Sequence, residues 1–376
     1  MQRTGPSTAS TTLADNRRLV LDVLRTSGQL TRTEIGEASG LSPSATARIT
    51  SALEADRLIA RDKLPSAGGR PAWRYRFTAE GRYLAGLRVQ GDGCRAALLN
   101  WDETVVARAE VLIDPLTATG PDLLVATREC LARIVAAGVE RGGAPVAIGV
   151  AVPSIVEPDG TVRAGAEVPW DGLPLGAELS ADTDLPVLVE NDANALAYSE
   201  LTPGNGTASL AALILGHGLG AGIISEGHLL RGGRAMAGEI GYLLTSRDAL
   251  GRRPEVIGDL ERRIQVAAAS VPGPPSSAPG RLWRLMGEPR AASAVAEMLD
   301  YLAMAIASLV VVLDPERVVI GDIPPEHATR LGAELERRLG SLSTRPGMIA
   351  PARRGPDAVA IGAALLASGL VDLQAL

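Results

Sequence analysis

Cysteine is nearly absent from this 376-residue chain: Cys94 and Cys130 are the whole supply, far apart and in no CxxC pair. That excludes a zinc module built on cysteines and argues against a disulfide framework. Lysine is scarcer still, with Lys63 alone among 37 basic residues. Together with heavy Ala and Gly usage this points to a GC-rich coding bias, so arginine counts carry little argument. No apolar run reaches the roughly 18 to 20 residues of a membrane span, and no signal-peptide pattern opens the chain. The expectation is a cytoplasmic protein without membrane attachment, opening on a disordered leader over residues 1–13.

What is present describes an ordinary globular protein, 46% hydrophobic and 21% charged, too long for one small core. Charge is uneven. Residues 1–80 carry 12 Arg and Lys against 8 Asp and Glu, a net of +4, while the remainder carries 25 against 35, a net of −10. A basic head on an acidic body is the asymmetry of a nucleic-acid reader joined to something else.

The head is read over residues 14–77. Leu19, Val20, Val23 and Leu24 fall at helical spacing and Gly28 ends that run. Thr31 with Glu34 three residues on is a capping-box pattern for a short helix ending near Gly40. Ser42 reads as the N-cap of a third helix with Pro43 at its first position, where a missing N–H costs nothing. Thr46, Ile49 and Leu53 share its inner face, and Ser44, Ala45, Ala47, Arg48 and Ser51 look outward. This is helix-turn-helix grammar, with a plain three-helix bundle as the alternative. Two strands, "LIARDKL" and "WRYRF", then form a hairpin wing. Its tip "GGRP" holds Gly69, Arg70 and Pro71, an extended tripeptide suited to an A·T-rich minor groove; the alternative is a simple hairpin tip. The expected DNA contacts are Thr31, Arg32, Ser42, Pro43, Ser44, Ala45, Ala47, Arg48, Gly69, Arg70 and Pro71.

The body reads as two α/β lobes. A three-strand meander, a helix, the strand "VAIGVAVP" and "LPVLVENDANALAYSE", a strand running into a helix, make the first. "SLAALILGHGLGAGIISEGHLL", a long apolar helix and "PERVVIGD" make the second. Duplicated strand-hairpin lobes with glycine turns facing one cleft suggest the actin/hexokinase architecture. The lobes are placed at 78–190, completed by the C-terminal helix 356–376, and at 191–355.

These motifs in this order resemble the ROK family (repressors, open reading frames and kinases), in its repressor branch with an N-terminal winged helix-turn-helix. The resemblance rests on "TRTEIGEASGLSPSATARI", "GGRP", "IGVAVPSIVEPDG", "EVPWDGLPL", "VENDANALA", "LGHGLGAGIISEGHLLRGGRAMAGEIGY", "LDPERVVIGD" and "AIGAALLA", and spans roughly residues 14–370. It implies a ribonuclease H-like body, a homodimer or homotetramer, sugar-type effectors, and ATP-dependent sugar phosphorylation in the kinase members.

The kinase pattern is only half present. The resemblance places the catalytic base at Asp192, which is there. The first phosphate loop, Asp-x-Gly-Gly-Thr in kinases, is "RVQGDGC" here, with Arg88 in place of the leading acid. In the second, "GHGLGAG", His217 replaces a small hydroxyl residue, and the adenosine-side Gly-Gly is Gly321-Asp322. Tyr242 stands where the family has a histidine, and the cysteine cluster that holds zinc is missing. No ATP, zinc or other cofactor is expected, and catalysis is not. The effector-binding candidates are Asn191, Asp192, Glu239, Tyr242 and His217. Carboxylates beside an amide suit a polyol, although Asn191 and Asp192 also serve simply as a helix start. The resulting expectation is a DNA-binding regulator, a repressor by resemblance, whose body senses a small molecule such as a sugar derivative. The rivals are a sugar kinase with a regulatory head and a DNA-binding dimer with a vestigial pocket.

Overall fold

The structure, a computed structural model, describes residues 13–63, 73–163, 165, 167–201, 208–216, 218–251, 258–271, 278–342 and 347–372. Its head is built from α1 (Leu13–Ser27), β1 (Leu30–Thr31), α2 (Arg32–Ser39), α3 (Pro43–Ala55), β2 (Ile59–Lys63) and β3 (Trp73–Phe77). The capping signals act as expected. Thr31 Oγ1 accepts from Glu34 N at 3.3 Å, Glu34 Oε2 accepts from Thr31 N at 2.7 Å, and Gly40 closes α2 with φ +68°. Ser42 Oγ accepts from Ala45 N at 3.3 Å, with Pro43 starting α3. Strands β1, β3 and β2 pair antiparallel into the wing sheet.

Val20, Leu21, Leu24, Ile35, Ile49, Leu53, Tyr75 and Phe77 form the head's core. Leu19, expected on that face, points outward at 37% exposure, and Leu21 takes its place. Val20 and Leu24 hold the inner face of α1 as expected. Trp101 of the body meets Phe77 edge-on, ring centroids 4.8 Å apart, and so joins head to body.

The body continues with β4 (Arg82–Gln90), β5 (Gly93–Leu99), β6 (Val105–Leu112), α4 (Gly120–Val139), β7 (Ala144–Val152), α5 (Leu175–Thr183), β8 (Val187–Asn191) and α6 (Asp192–Ser199). Then come β9 (Leu210–Leu215), β10 (Leu219–Ser225), β11 (His228–Leu229), α7 (Asp259–Ala269), α8 (Ala278–Leu285), α9 (Ala292–Leu313), β12 (Arg317–Gly321), α10 (Pro325–Leu339), β13 (Ile349–Pro351) and α11 (Ala358–Ala367).

Among the described residues these strands make two sheets of the same plan. In the first, β6-β5-β4 is an antiparallel meander continued by parallel β7 and β8; in the second, β11-β10-β9 is continued by parallel β12 and β13. Each parallel crossover needs a helix to return the chain, which the intervening elements supply. This is the duplicated architecture expected from the strand pattern.

Helices α6 and α11 lie between the sheets, and glycines let them approach. A Cβ on Gly222 of β10 would stand 2.0 Å from the Ala193 carbonyl of α6. On Gly86 of β4 and Gly149 of β7 it would stand 1.8 and 1.9 Å from carbonyls of α11, and on Gly362 of α11, 1.8 Å from the Ala195 carbonyl. Backbone thus packs on backbone at every face of this two-helix layer.

Cys94 and Cys130, distant in sequence, meet in the first lobe as buried free thiols, with Cys130 Sγ donating to the Cys94 carbonyl at 3.4 Å. Helix α9, with its lead-in from Pro289, is long and apolar enough to cross a membrane by length and composition. Its Met298, Leu299, Leu302 and Ile306 instead fill the core of the second lobe.

Candidate functional site

Two surfaces carry the residues singled out by sequence. On the head, Ser42, Pro43, Ser44 and Arg48 are exposed along the start of α3, with Ala45 and Ala47 half-buried beside them, while Thr46, Ile49, Thr50 and Leu53 face inward. Ser42 and Ser44 hydroxyls lie 3.2 Å apart. A helix start with small polar residues and one arginine on its open face can enter a major groove without steric obstruction.

Thr31 and Arg32 are different. Thr31 is committed to its capping box. Arg32 donates from Nε to Thr50 Oγ1 at 3.0 Å and from Nη2 to Ser51 Oγ at 3.1 Å, with its guanidinium 5.1 Å from the Tyr75 ring centroid. Both were expected to touch DNA; their polar atoms instead tie α2, α3 and the wing together. Gly69, Arg70 and Pro71 lie outside the described residues, as does His217.

The second surface is a cleft with a volume of ≈ 100 Å³ between the two sheets. It opens at the carboxyl ends of β7, β8 and β12 and beside the β9–β10 turn, where α/β sheets characteristically take ligands. Asn191, Asp192, Glu239 and Tyr242 all line it, so the structure brings these expected residues together. Ser154, Glu167, Glu261 and Asp322 join them. Glu261, in the first turn of α7, was not among the residues expected from sequence. Among the described residues no cluster of His, Cys, Asp and Glu is spaced to hold a metal ion.

Asn191 is foremost a helix cap. Its Oδ1 accepts from Ala193 N at 2.9 Å and Asn194 N at 3.1 Å, and its Nδ2 donates to the Ser154 carbonyl at 3.2 Å. Neighbouring Glu190 is also internal: Oε1 accepts from Asn191 N and Asn194 Nδ2, and Oε2 from Arg231 Nε at 2.7 Å. These bonds fix the start of α6 and leave Asp192 facing the cleft.

Asp192 is 8% exposed, and its Oδ1 accepts from Ala193 N at 2.8 Å. Burial pushes its pKa up to about 8; Arg88 opposes this, and Glu167 and Asp322 reinforce it. At neutral pH it is a carboxylic acid, able to donate to a ligand oxygen. Burial likewise raises Glu239, and Glu261 to about 6. Tyr242 is raised by burial and then by Glu239 and Glu261. A set of neutral and charged carboxyls, a phenol and a serine whose Oγ is buried without a partner offers both donors and acceptors to hydroxyl groups.

Arg88, near the end of β4, reaches across to Asp322 just past β12: Nη2 stands 2.5 Å from Oδ1, the side chains 8% and 15% exposed. Two of the residues read from the sequence as departures from the kinase pattern thus form one ion pair that joins the lobes. The pair is close but poorly aligned, since Arg88 Nη2 and Nε make no geometrically sound hydrogen bond.

The ROK family model matches residues 84–254, and a winged helix-turn-helix DNA-binding model matches residues 13–60. An N-acetyl-D-glucosamine kinase of Escherichia fergusonii is 31% identical over 261 residues, covering 63% of this chain and 86% of the kinase. A glucokinase of Halalkalibacterium halodurans is 27% identical over 268 residues, 64% of this chain and 80% of its own. Among solved structures, a ROK family transcriptional regulator described as a homologue of the Escherichia coli MLC protein superposes with a TM-score of 0.71 at 22% identity. It covers 95% of this chain and 96% of its own. The Streptomyces griseus ROK glucokinase in complex with glucose and AMPPNP gives 0.62 at 23% identity, covering 76% and 99%. At these identities the structural likeness speaks for the fold alone. The chain belongs to the ROK family, and joins a winged helix-turn-helix DNA-binding head to that family's sugar-kinase-like body.

Proposed function

We propose that the protein is a DNA-binding transcriptional repressor whose cleft binds a small polyhydroxylated effector without phosphorylating it. The observation that carries the reading is the Arg88–Asp322 pair. By the family pattern both positions belong to loops that serve the nucleotide, and phosphoryl transfer depends on such loops to hold the phosphates and Mg²⁺. A guanidinium bound to a carboxylate there offers a phosphate no net positive charge and fills the space of an open backbone cradle. What is left of the kinase-like apparatus is the half that handles hydroxyl groups, Asp192 and Glu239, and Tyr242 and Glu261 line the cleft beside them.

In this reading Ser42, Ser44 and Arg48 enter the major groove of a double-stranded operator, and Arg70 serves the minor groove. A homodimer or homotetramer places two heads on two half-sites. An effector that binds one lobe arrangement better than the other shifts the protein toward it and changes operator affinity by that difference. The test is a footprint on the DNA upstream of the protein's own gene, with and without a panel of sugars and sugar derivatives, alongside calorimetry with Mg-ATP. Protection that a sugar releases, with no heat from ATP, is the expected result. ATP-dependent phosphorylation of a sugar that Asp192→Asn abolishes would instead establish the kinase reading.

A further inference from the structure

The wing carries a surface that neither the start of α3 nor the hairpin tip accounts for. In the β2–β3 ladder Ile59 lies opposite Phe77, Arg61 opposite Tyr75 and Lys63 opposite Trp73. Directly opposed residues share a face, so these six form one stripe. Ile59, Phe77 and Tyr75 are 2%, 6% and 1% exposed within the core of the head. At the last pair burial stops: Trp73 is 38% exposed and Lys63 is open. An apolar stripe thus ends in an uncovered indole beside an ammonium group.

Two arginines fix where this end lies. Arg61 stacks on the Trp73 ring, its guanidinium 4.7 Å from the centroid, and pairs with Glu54 of α3 at 2.8 Å. A cation over its face holds the indole in place. One pair further in, Arg32 stands over Tyr75 and bonds Ser51 on the outer side of α3. The open end of the stripe therefore continues the surface on which Ser44, Arg48 and Ser51 lie. Lys63 has no carboxylate partner among the described residues, and Asp62, beside it in sequence, sits on the opposite face with Arg76 at 3.1 Å.

We propose that Lys63 and Trp73 make a separate contact with duplex DNA, holding one sugar–phosphate strand beside the groove that α3 enters. The Lys63 ammonium neutralises a phosphate, and the Trp73 indole N–H donates to a phosphate oxygen while its ring rests on a deoxyribose. Arg61, shared between Glu54 and the ring, positions the indole. Such contacts carry no sequence information; they set the protein's orientation on the duplex and supply salt-dependent affinity. Duplex DNA is the partner this surface fits, resting on the reading of the head as a DNA-binding unit. The stripe is continuous with the exposed side of α3, and it is positive where a phosphodiester chain is negative.

Lys63 is the chain's single lysine, so an amine-directed reagent reports on it without competition from other side chains. The experiment acetylates the full chain, free and bound to sheared genomic duplex DNA at low salt, and reads the Lys63 peptide by mass spectrometry. Protection by DNA is the expected result. In salt titrations of the same complex, Lys63→Ala should lower affinity by roughly tenfold and shrink the slope of log K against log salt by about one, with Lys63→Arg restoring both. Trp73→Phe, which removes the indole donor, should weaken binding by roughly threefold. Arg290→Ala, which removes an exposed charge on the body, should leave the slope unchanged. Lys63 acetylated as fast in the complex as in the free chain, or an unchanged slope in Lys63→Ala, overturns the proposal. No DNA binding by the wild-type chain would instead strike the DNA-binding reading of the head, and this surface with it.

Discussion

Arg88 Nη2 lies 2.5 Å from Asp322 Oδ1, and so a residue at the end of one sheet neutralises a residue at the end of the other. Asp322 holds a left-handed backbone, φ +64°, which asparagine tolerates as well as aspartate. Asp322→Asn therefore isolates the charge. It leaves Arg88 buried without its counter-ion and should lower the unfolding free energy by about 3 kcal/mol, read from urea midpoints. Adding Arg88→Leu to the same chain should recover most of the loss; no recovery would show that the pair is not what the single change disturbed.

Asp192 should make stability fall with pH. Its folded pKa of about 8 lies above the ordinary 3.8, so between these values the unfolded chain has released a proton that the folded chain keeps. The stabilising contribution is complete below about pH 4 and is lost as pH rises through about 8. Glu261, raised to about 6, has the same sign over a narrower window. Urea midpoints measured at about pH 5, 7 and 9 should decline in wild type and flatten in Asp192→Asn. An unchanged slope would place Asp192 in solvent.

Arg48 and Arg32 should separate function from stability. Arg48 is exposed on α3, so Arg48→Ala should weaken DNA binding with no change in the melting temperature. If it neutralises a phosphate, the slope of log K against log salt should shrink by about one. Arg32 is bonded to Thr50 and Ser51, so Arg32→Ala should lower the melting temperature of the head. The opposite pattern would exchange their roles.

Ser42 has both duties, cap and candidate base contact. Ser42→Ala should cost about 1 kcal/mol of stability through loss of the α3 cap. Ser42→Asp restores the cap but sets a negative charge against the DNA. Stability recovered with DNA binding lost is the expected outcome in a gel-shift and thermal-melt pair. Full DNA binding by the Asp variant would remove this helix start from the groove.

Signals that lie close together along the chain were the legible ones. The Thr31–Glu34 box, the Ser42-Pro43 start of α3, the paired strands of the wing and the doubled sheet plan all follow from local periodicity and capping chemistry. Asn191 and Asp192 were legible as a helix start at the cleft, and Glu239 and Tyr242 reached it on resemblance alone. The partnership of Arg88 with Asp322 was not legible, because each stood out only within its own loop and only the closing of two lobes brings them together. Glu261 and Ser154 were missed for the same reason. The bonds of Arg32 to Thr50 and Ser51 were not legible either, because a half-exposed arginine beside a recognition helix looks the same in sequence whether it faces DNA or locks the helix in place.

The glycine-lined seat of α6 and α11 has a consequence in the currency of inheritance. Any coding change that replaces Gly86, Gly149, Gly222 or Gly362 brings in a side chain whose first carbon would fall within about 2 Å of a backbone carbonyl. Such a chain fails to assemble its centre, so these positions have no neutral neighbours to drift into. The loops around the cleft face no such barrier, and an arginine and an aspartate can settle there once they satisfy each other. A chain built this way can change at its rim while its centre stays fixed.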